Sequence, residues 1–211
     1  MGIVKEIEEK KVIAIVRGVA LEKIPFLCEA LLKGGISNVE ITLNSSNAYQ
    51  GIREAREQFG KNMLIGAGTV LDEELAKHAI ESGAQFLLSP NLDKGMVDVA
   101  LNAGVVPIPG VLTPTEVVQA VKWGAPLVKL FPVNSVGGPK YIKDLLAPLD
   151  FVKIIAVGGV HEGNMVEYFE AGAVGVGLGS QLIDKEAIAQ GKYQIITEKA
   201  IRTVNLLTTS P

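Results

Sequence analysis

Cysteine is nearly absent from this chain of 211 residues. Cys28 stands alone in an apolar, helix-like stretch, Pro25-Phe26-Leu27-Cys28-Glu29-Ala30-Leu31, so it forms no internal disulfide, and a structural role in a reducing compartment is expected. Histidine is almost as scarce. His78 sits among acids in a helical pattern, where a surface position is expected, and His161 follows Gly158-Gly159-Val160, where it reads as a solvated helix-start residue near a ligand. Two histidines without a tight acid cluster argue against a transition-metal site, and no cofactor is implied. No apolar run reaches the ~18 residues needed to span a bilayer, which argues against a membrane partner. The segment from Met1 to Lys10 carries acids where a signal peptide needs an apolar stretch, so a cytoplasmic location is expected. With 20 basic against 23 acidic side chains, a net charge of −3 and no basic cluster, the chain has no electrostatic footprint for nucleic acid. Aromatics make up only 5%, and Trp123, just before Gly124, is expected to serve packing.

What the chain does have is apolar residues, 48% of the total, and 23 glycines, enough for one large core with many tight connections. Short β-branched runs alternate with longer helical patterns throughout, as parallel strands joined by crossover helices require. Strands are predicted from Val12 to Arg17, Asn38 to Leu43, Met63 to Thr69, Gln85 to Pro90, Val105 to Pro109, Leu127 to Pro132, Val152 to Gly158 and Ala173 to Gly179. Eight is the number at which a parallel barrel closes with a side-chain-filled interior. Asp72-Glu73-Glu74 and Thr113-Pro114 read as helix starts, and Gly35, Gly83, Gly104, Gly124 and Gly172 as helix ends that recur with the βα unit. The expectation is therefore α/β, a (β/α)8 TIM barrel with a short amphipathic amino-terminal helix, one domain over residues 1–211. An open doubly wound sheet is the alternative, but Arg17-Gly18-Val19-Ala20 is not the glycine-rich phosphate turn such a sheet carries after its first strand.

In a barrel strand, alternate side chains face the interior, and functional groups gather at the carboxyl ends. In Val39-Glu40-Ile41-Thr42-Leu43 the aliphatics share one parity, which leaves Glu40 and Thr42 inside. The same rule turns Val128 and Leu130 outward and Lys129 and Phe131 inward, and puts Arg17 at the barrel mouth. Glu40 and Lys129 are costly to bury, so either they form a buried ion pair, or Lys129 snorkels to solvent, or the two are a reactive pair. A lysine attacks a ketone only as the free amine, so its pKa must fall from ~10.4, and apolar walls with a second cation achieve this. Phe131 and Arg17 are placed to supply them, while Glu40 opposes them. At the ends of the seventh and eighth predicted strands, Gly158-Gly159 and Gly179-Ser180 either expose backbone N–H groups to a phosphate or only ease tight turns.

Read in order, these segments resemble one family, the 2-keto-3-deoxy-6-phosphogluconate aldolases with their 4-hydroxy-2-oxoglutarate and 6-phosphogalactonate relatives. The resemblance runs from about Lys11 to about Leu182 and rests on Ile15-Val16-Arg17-Gly18, Val39-Glu40-Ile41-Thr42-Leu43, Gly66-Ala67-Gly68-Thr69-Val70, Ser89-Pro90-Asn91, Ile108-Pro109-Gly110, Lys129-Leu130-Phe131-Pro132, Gly137-Gly138-Pro139-Lys140-Tyr141-Ile142-Lys143, Ala156-Val157-Gly158-Gly159-Val160 and Gly177-Leu178-Gly179-Ser180. It implies a Schiff-base lyase of carbohydrate metabolism in which Lys129 forms the imine and Glu40 shuttles protons. Thr69, Pro90 and Phe131 would wall the pyruvate half, and Gly158, Gly159, Gly179 and Ser180 would hold the phosphate of a phosphorylated keto acid. It also implies a homotrimer. Where some members carry an arginine four residues after the glutamate, this chain has Asn44, so the substrate carboxylate falls to Arg17. Val157 replaces a threonine common in the phosphogluconate branch and resembles the phosphogalactonate branch. The competing readings are an isomerase or epimerase that uses Lys129 only as a cation, and a non-catalytic oligomeric barrel.

Overall fold

Parallel strands and helices alternate along the whole described chain, residues 2–208 of a computed structural model. The strands are β1 (Val12–Val16), β2 (Asn38–Thr42), β3 (Leu64–Gly68), β4 (Phe86–Leu88), β5 (Val106–Ile108), β6 (Gly110–Val111), β7 (Val128–Leu130), β8 (Ile154–Val157) and β9 (Gly175–Leu178). The helices are α1 (Ile3–Lys10), α2 (Ile24–Lys33), α3 (Ala48–Phe59), α4 (Glu73–Glu81), α5 (Lys94–Asn102), α6 (Pro114–Lys122), α7 (Pro139–Leu146), α8 (Met165–Glu170), α9 (Lys185–Ala189) and α10 (Tyr193–Thr208). All strands pair in parallel, in the order β5-β4-β3-β2-β1-β9-β8-β7-β6. This is the expected TIM barrel with an amino-terminal helix. Among the described residues, no helix is long and apolar enough to cross a membrane.

Nine strands stand where eight were expected because the fifth is broken at Pro109. Residues Val106–Ile108 pair with β4, whereas Gly110–Val111 pair with β7. Prolines at 107 and 109 remove two of the N–H groups a continuous strand would need. The break still closes the barrel: the Lys129 N–H donates to the Pro109 carbonyl (2.8 Å), and the Gly110 N–H reaches the Ser89 hydroxyl (3.1 Å). Only glycine fits at 110, since a Cβ there would lie 2.4 Å from the Pro90 carbonyl carbon. Several strands are shorter than predicted, β4 and β7 most clearly, although the residues flanking them, Gln85, Ser89 and Phe131, still donate backbone hydrogen bonds to neighbouring strands.

Strand parity divides the buried residues into two layers. Val12, Val39, Ile41, Val128, Leu130 and Ile154 face the helices, and Ile13, Ile15, Phe86, Leu88, Leu127 and Ile155 fill the barrel. The inner cluster also takes Ile3, Val4 and Ile7 from α1, so that helix plugs the amino-terminal end of the barrel. Gly66 makes room for this filling, because a Cβ there would lie 2.3 Å from the Phe86 ring. The α6 start has a full capping box: the Glu116 N–H donates to the Thr113 hydroxyl, and the Glu116 carboxylate receives the Thr113 N–H. Gly35, Gly83, Gly104, Gly124 and Gly172 adopt positive φ just past helix ends, as expected of helix stops. Cys28 is fully buried in α2, and burial pushes its thiol up to about 12, which makes it an inert core residue.

Candidate active site

Glu40 enters the barrel from β2, between apolar neighbours that face outward. It is 1% exposed, and neither carboxylate oxygen has a hydrogen-bond partner. Its space exists because β3 has no side chain opposite: a Cβ on Gly68 would fall 1.5 Å from Glu40 Oε1. Lys129 enters from β7, is 4% exposed, and holds Nζ 4.8 Å from the centre of the Phe131 ring. The parity expectations for all three residues hold. Among the described residues the buried ion pair does not form: neither Glu40 oxygen has a hydrogen-bond partner, and Lys129 Nζ lies over the Phe131 face.

Electrostatics couple the two groups all the same. Burial raises the Glu40 pKa, and the positive charges of Lys129 and Arg17 partly offset this. Burial lowers the Lys129 pKa, with Glu40 opposing the shift and Arg17 reinforcing it. Both shifts favour the neutral forms, a free amine beside a protonatable carboxyl, which is the arrangement of a nucleophile with an acid–base partner.

Lys129 opens into a cleft of about 350 Å³ at the carboxyl ends of β1, β7, β8 and β9. Seven of the ten residues assigned to the site from the sequence line it: Arg17, Lys129, Phe131, Gly158, Gly159, Gly179 and Ser180. Gly158 and Gly159 take positive φ and let the turn press on the next loop, where a Cβ on Gly159 would lie 2.5 Å from Asn134 Cβ. Glu40, Thr69 and Pro90 do not line the cleft. Glu40 lies beneath the surface, and Thr69 and Pro90 stand in the loops just past β3 and β4.

Other residues of the site carried weaker signals. His161 is exposed near a helix start, as expected, and lines the cleft as well. Val157 forms part of the apolar wall. Gly68 had a signal in retrospect, a glycine at the end of a strand where a neighbour approaches closely. A relay of hydroxyls also fixes the loop that carries Arg17. The Gly18 N–H donates to Ser45 Oγ (2.8 Å), the Ser45 and Thr42 hydroxyls are 2.9 Å apart, and Thr42 donates to the Val16 carbonyl (3.3 Å). Lys185 lines the same cleft with its ammonium beside Gly18. Among the described residues, no three His, Cys, Asp or Glu side chains gather as a metal site requires.

Comparison with known proteins points the same way. The sequence model for "KDPG and KHG aldolase" matches residues 3–199. The chain is 33% identical to the 2-dehydro-3-deoxy-phosphogluconate aldolase of Treponema pallidum, over 97% of each chain. It is 38% identical to the 2-dehydro-3-deoxy-6-phosphogalactonate aldolase of Escherichia coli, over 81% of this chain and 83% of that one. In three dimensions it overlays on the KDPG aldolase of Legionella pneumophila, solved with pyruvate captured as a covalent carbinolamine, with a TM-score of 0.86 and 29% identity. That overlay covers 92% of this chain and 93% of the other. The chain belongs to the KDPG and KHG aldolase family, and it is a carbon–carbon lyase.

Proposed function

We propose that this aldolase works through a Schiff base on Lys129 and cleaves 2-keto-3-deoxy-6-phosphogluconate to pyruvate and glyceraldehyde 3-phosphate. The observation that carries this reading is a buried lysine without an ion-pair partner among the described residues, its pKa lowered by burial, that lines a cleft and is coupled to a buried carboxylate. A related enzyme that holds pyruvate as a carbinolamine supports it.

The Lys129 amine adds to the C2 ketone, and loss of water gives an iminium. Glu40, set back from the cleft, takes the C4 hydroxyl proton through a water as the C3–C4 bond breaks, and the bonding pair moves into the iminium. Glyceraldehyde 3-phosphate departs. The enamine takes a proton at C3, with Glu40 as donor, and hydrolysis frees pyruvate and restores the amine. Arg17 holds the substrate carboxylate, and the backbone N–H groups of the Gly158-Gly159 and Gly179-Ser180 turns face the phosphate. Thr69 and Pro90 would complete the wall around the pyruvate half from the β3 and β4 ends.

A second substrate, the C4 epimer 2-keto-3-deoxy-6-phosphogalactonate, is favoured by Val157, whose apolar side chain in the cleft wall offers the C4 hydroxyl no hydrogen bond. 4-Hydroxy-2-oxoglutarate would share the same imine step.

Borohydride reduction with pyruvate, followed by peptide mass spectrometry, tests the reading. A reduced pyruvyl adduct on Lys129, absent from Lys129→Ala, is the expected result. A folded enzyme that cleaves substrate without any trappable adduct would overturn the imine mechanism.

A further inference from the structure

Cations dominate the cleft in an acidic protein. The chain carries a net charge of −3, yet the cleft lining contains Arg17, Lys129 and Lys185 and no Asp or Glu. Arg17 and Lys129 have parts in the reaction proposed above. Lys185 has none; it is exposed, but it lines the cleft.

Lys185 follows the Gly179-Ser180 turn closely in sequence and is brought back over it. The Gly179 carbonyl accepts the N–H groups of Leu182 (3.0 Å) and Ile183 (2.8 Å), and this tight fold returns the chain toward the mouth. The neighbouring acid does not neutralise it. Asp184 receives the Ala187 N–H (3.0 Å) and pairs with Lys199 Nζ (3.0 Å), and Lys185 has no ion-pair partner among the described residues. Its Nζ lies 3.0 Å from the point where a Cβ on Gly18 would stand, and Gly18 has φ +64°. A side chain at position 18 would therefore crowd the ammonium out of the cleft, and the Gly18 N–H is already held by Ser45.

We infer that Lys185 binds the phosphate of the aldehyde half and sets the preference for phosphorylated over unphosphorylated aldehydes; this rests on the aldolase reading above. An ammonium on a flexible stem suits a tetrahedral dianion approached from outside, while the glycine turns meet it from below. Arg17, with its planar fork, is left to the carboxylate at the other end of the substrate.

The division of labour is testable in the direction of synthesis, with pyruvate and either glyceraldehyde 3-phosphate or unphosphorylated glyceraldehyde. Lys185→Ala is expected to raise KM for glyceraldehyde 3-phosphate about tenfold, the order expected for one charge-assisted hydrogen bond at a partly solvated site. The pyruvate concentration that half-saturates borohydride trapping, and the KM for unphosphorylated glyceraldehyde, should not move. Lys185→Arg should keep most of the affinity. An unchanged KM for glyceraldehyde 3-phosphate, or an equal rise for both aldehydes, overturns the phosphate role. A rise confined to pyruvate would assign Lys185 to the carboxylate instead, and so overturn it too. Failure of the unaltered enzyme to form any imine would sink the Schiff-base reading itself, an outcome separate from any Lys185 effect.

Discussion

Gly68 and Glu40 compete for one volume: a Cβ on Gly68 would fall 1.5 Å from Glu40 Oε1, inside the barrel where neither residue can move to solvent. The glycine thus makes the room in which the carboxylate proposed as the acid–base group is buried. Gly68→Ala is expected to destabilise the fold by about 1–3 kcal/mol through overpacking. It should also slow cleavage more than imine formation, since Lys129 sits on a different strand. Thermal melts together with borohydride trapping and kcat separate the two effects; a variant with normal kcat would show that Glu40 does not need this position.

Opposite pH shifts are expected from the two groups that bear on Lys129. Burial lowers the Lys129 pKa most; the Glu40 carboxylate opposes that shift and Arg17 reinforces it. In Glu40→Gln the free amine should therefore appear at lower pH, and in Arg17→Met at higher pH. Borohydride trapping as a function of pH at saturating pyruvate reads the midpoints directly. Shifts of the same sign in both variants would contradict the assigned couplings.

Ser45 is expected to act on the substrate without touching it. Its hydroxyl accepts the Gly18 N–H and so fixes the turn next to Arg17. Ser45→Ala should raise KM for the keto acid severalfold with kcat nearly unchanged, and Ser45→Thr should restore it. The loss of a single hydrogen bond limits the effect to about 0.5–1.5 kcal/mol. A fall in kcat alone would argue for a different role.

Val157 offers a test of the choice between epimers. Placing a hydroxyl in the cleft wall through Val157→Thr should favour the C4 epimer whose hydroxyl then faces it, changing the ratio of kcat/KM for the gluconate and galactonate substrates by about tenfold. An unchanged ratio would move the origin of C4 selectivity elsewhere in the cleft.

At the opposite end of the barrel, Ile7→Ala should cost stability alone. Ile7 is fully buried in the plug that α1 drives into the barrel floor. Truncating it should cost about 2–5 kcal/mol. Denaturant melts would show the loss, while KM stays put because the cleft lies at the other end. A large change in KM would mean that the plug transmits strain to the mouth.

The residues with a strong intrinsic signal were legible in the sequence. Glu40 and Lys129 stood out because a charge inside an apolar, alternating strand has one parity, and parity fixes which layer it faces. The glycine turns and the Thr113 cap were legible for the same local reason, since φ and capping depend on neighbours in sequence. The split fifth strand was not. Its two prolines were visible, but which neighbour each half would pair with depends on barrel closure.

The sequence by itself determined the alternation of strands and helices, the inward parity of Glu40, Lys129 and Phe131, and the helix stops, because each follows from periodicity or backbone preference over a few residues. Only the tertiary structure decided that Arg17, Lys129 and Lys185 share one cleft, that Gly68 makes room for Glu40, and that α1 fills the barrel floor. These are relations between strands far apart in the chain, and they are fixed by the packing of a closed barrel, which no local pattern encodes.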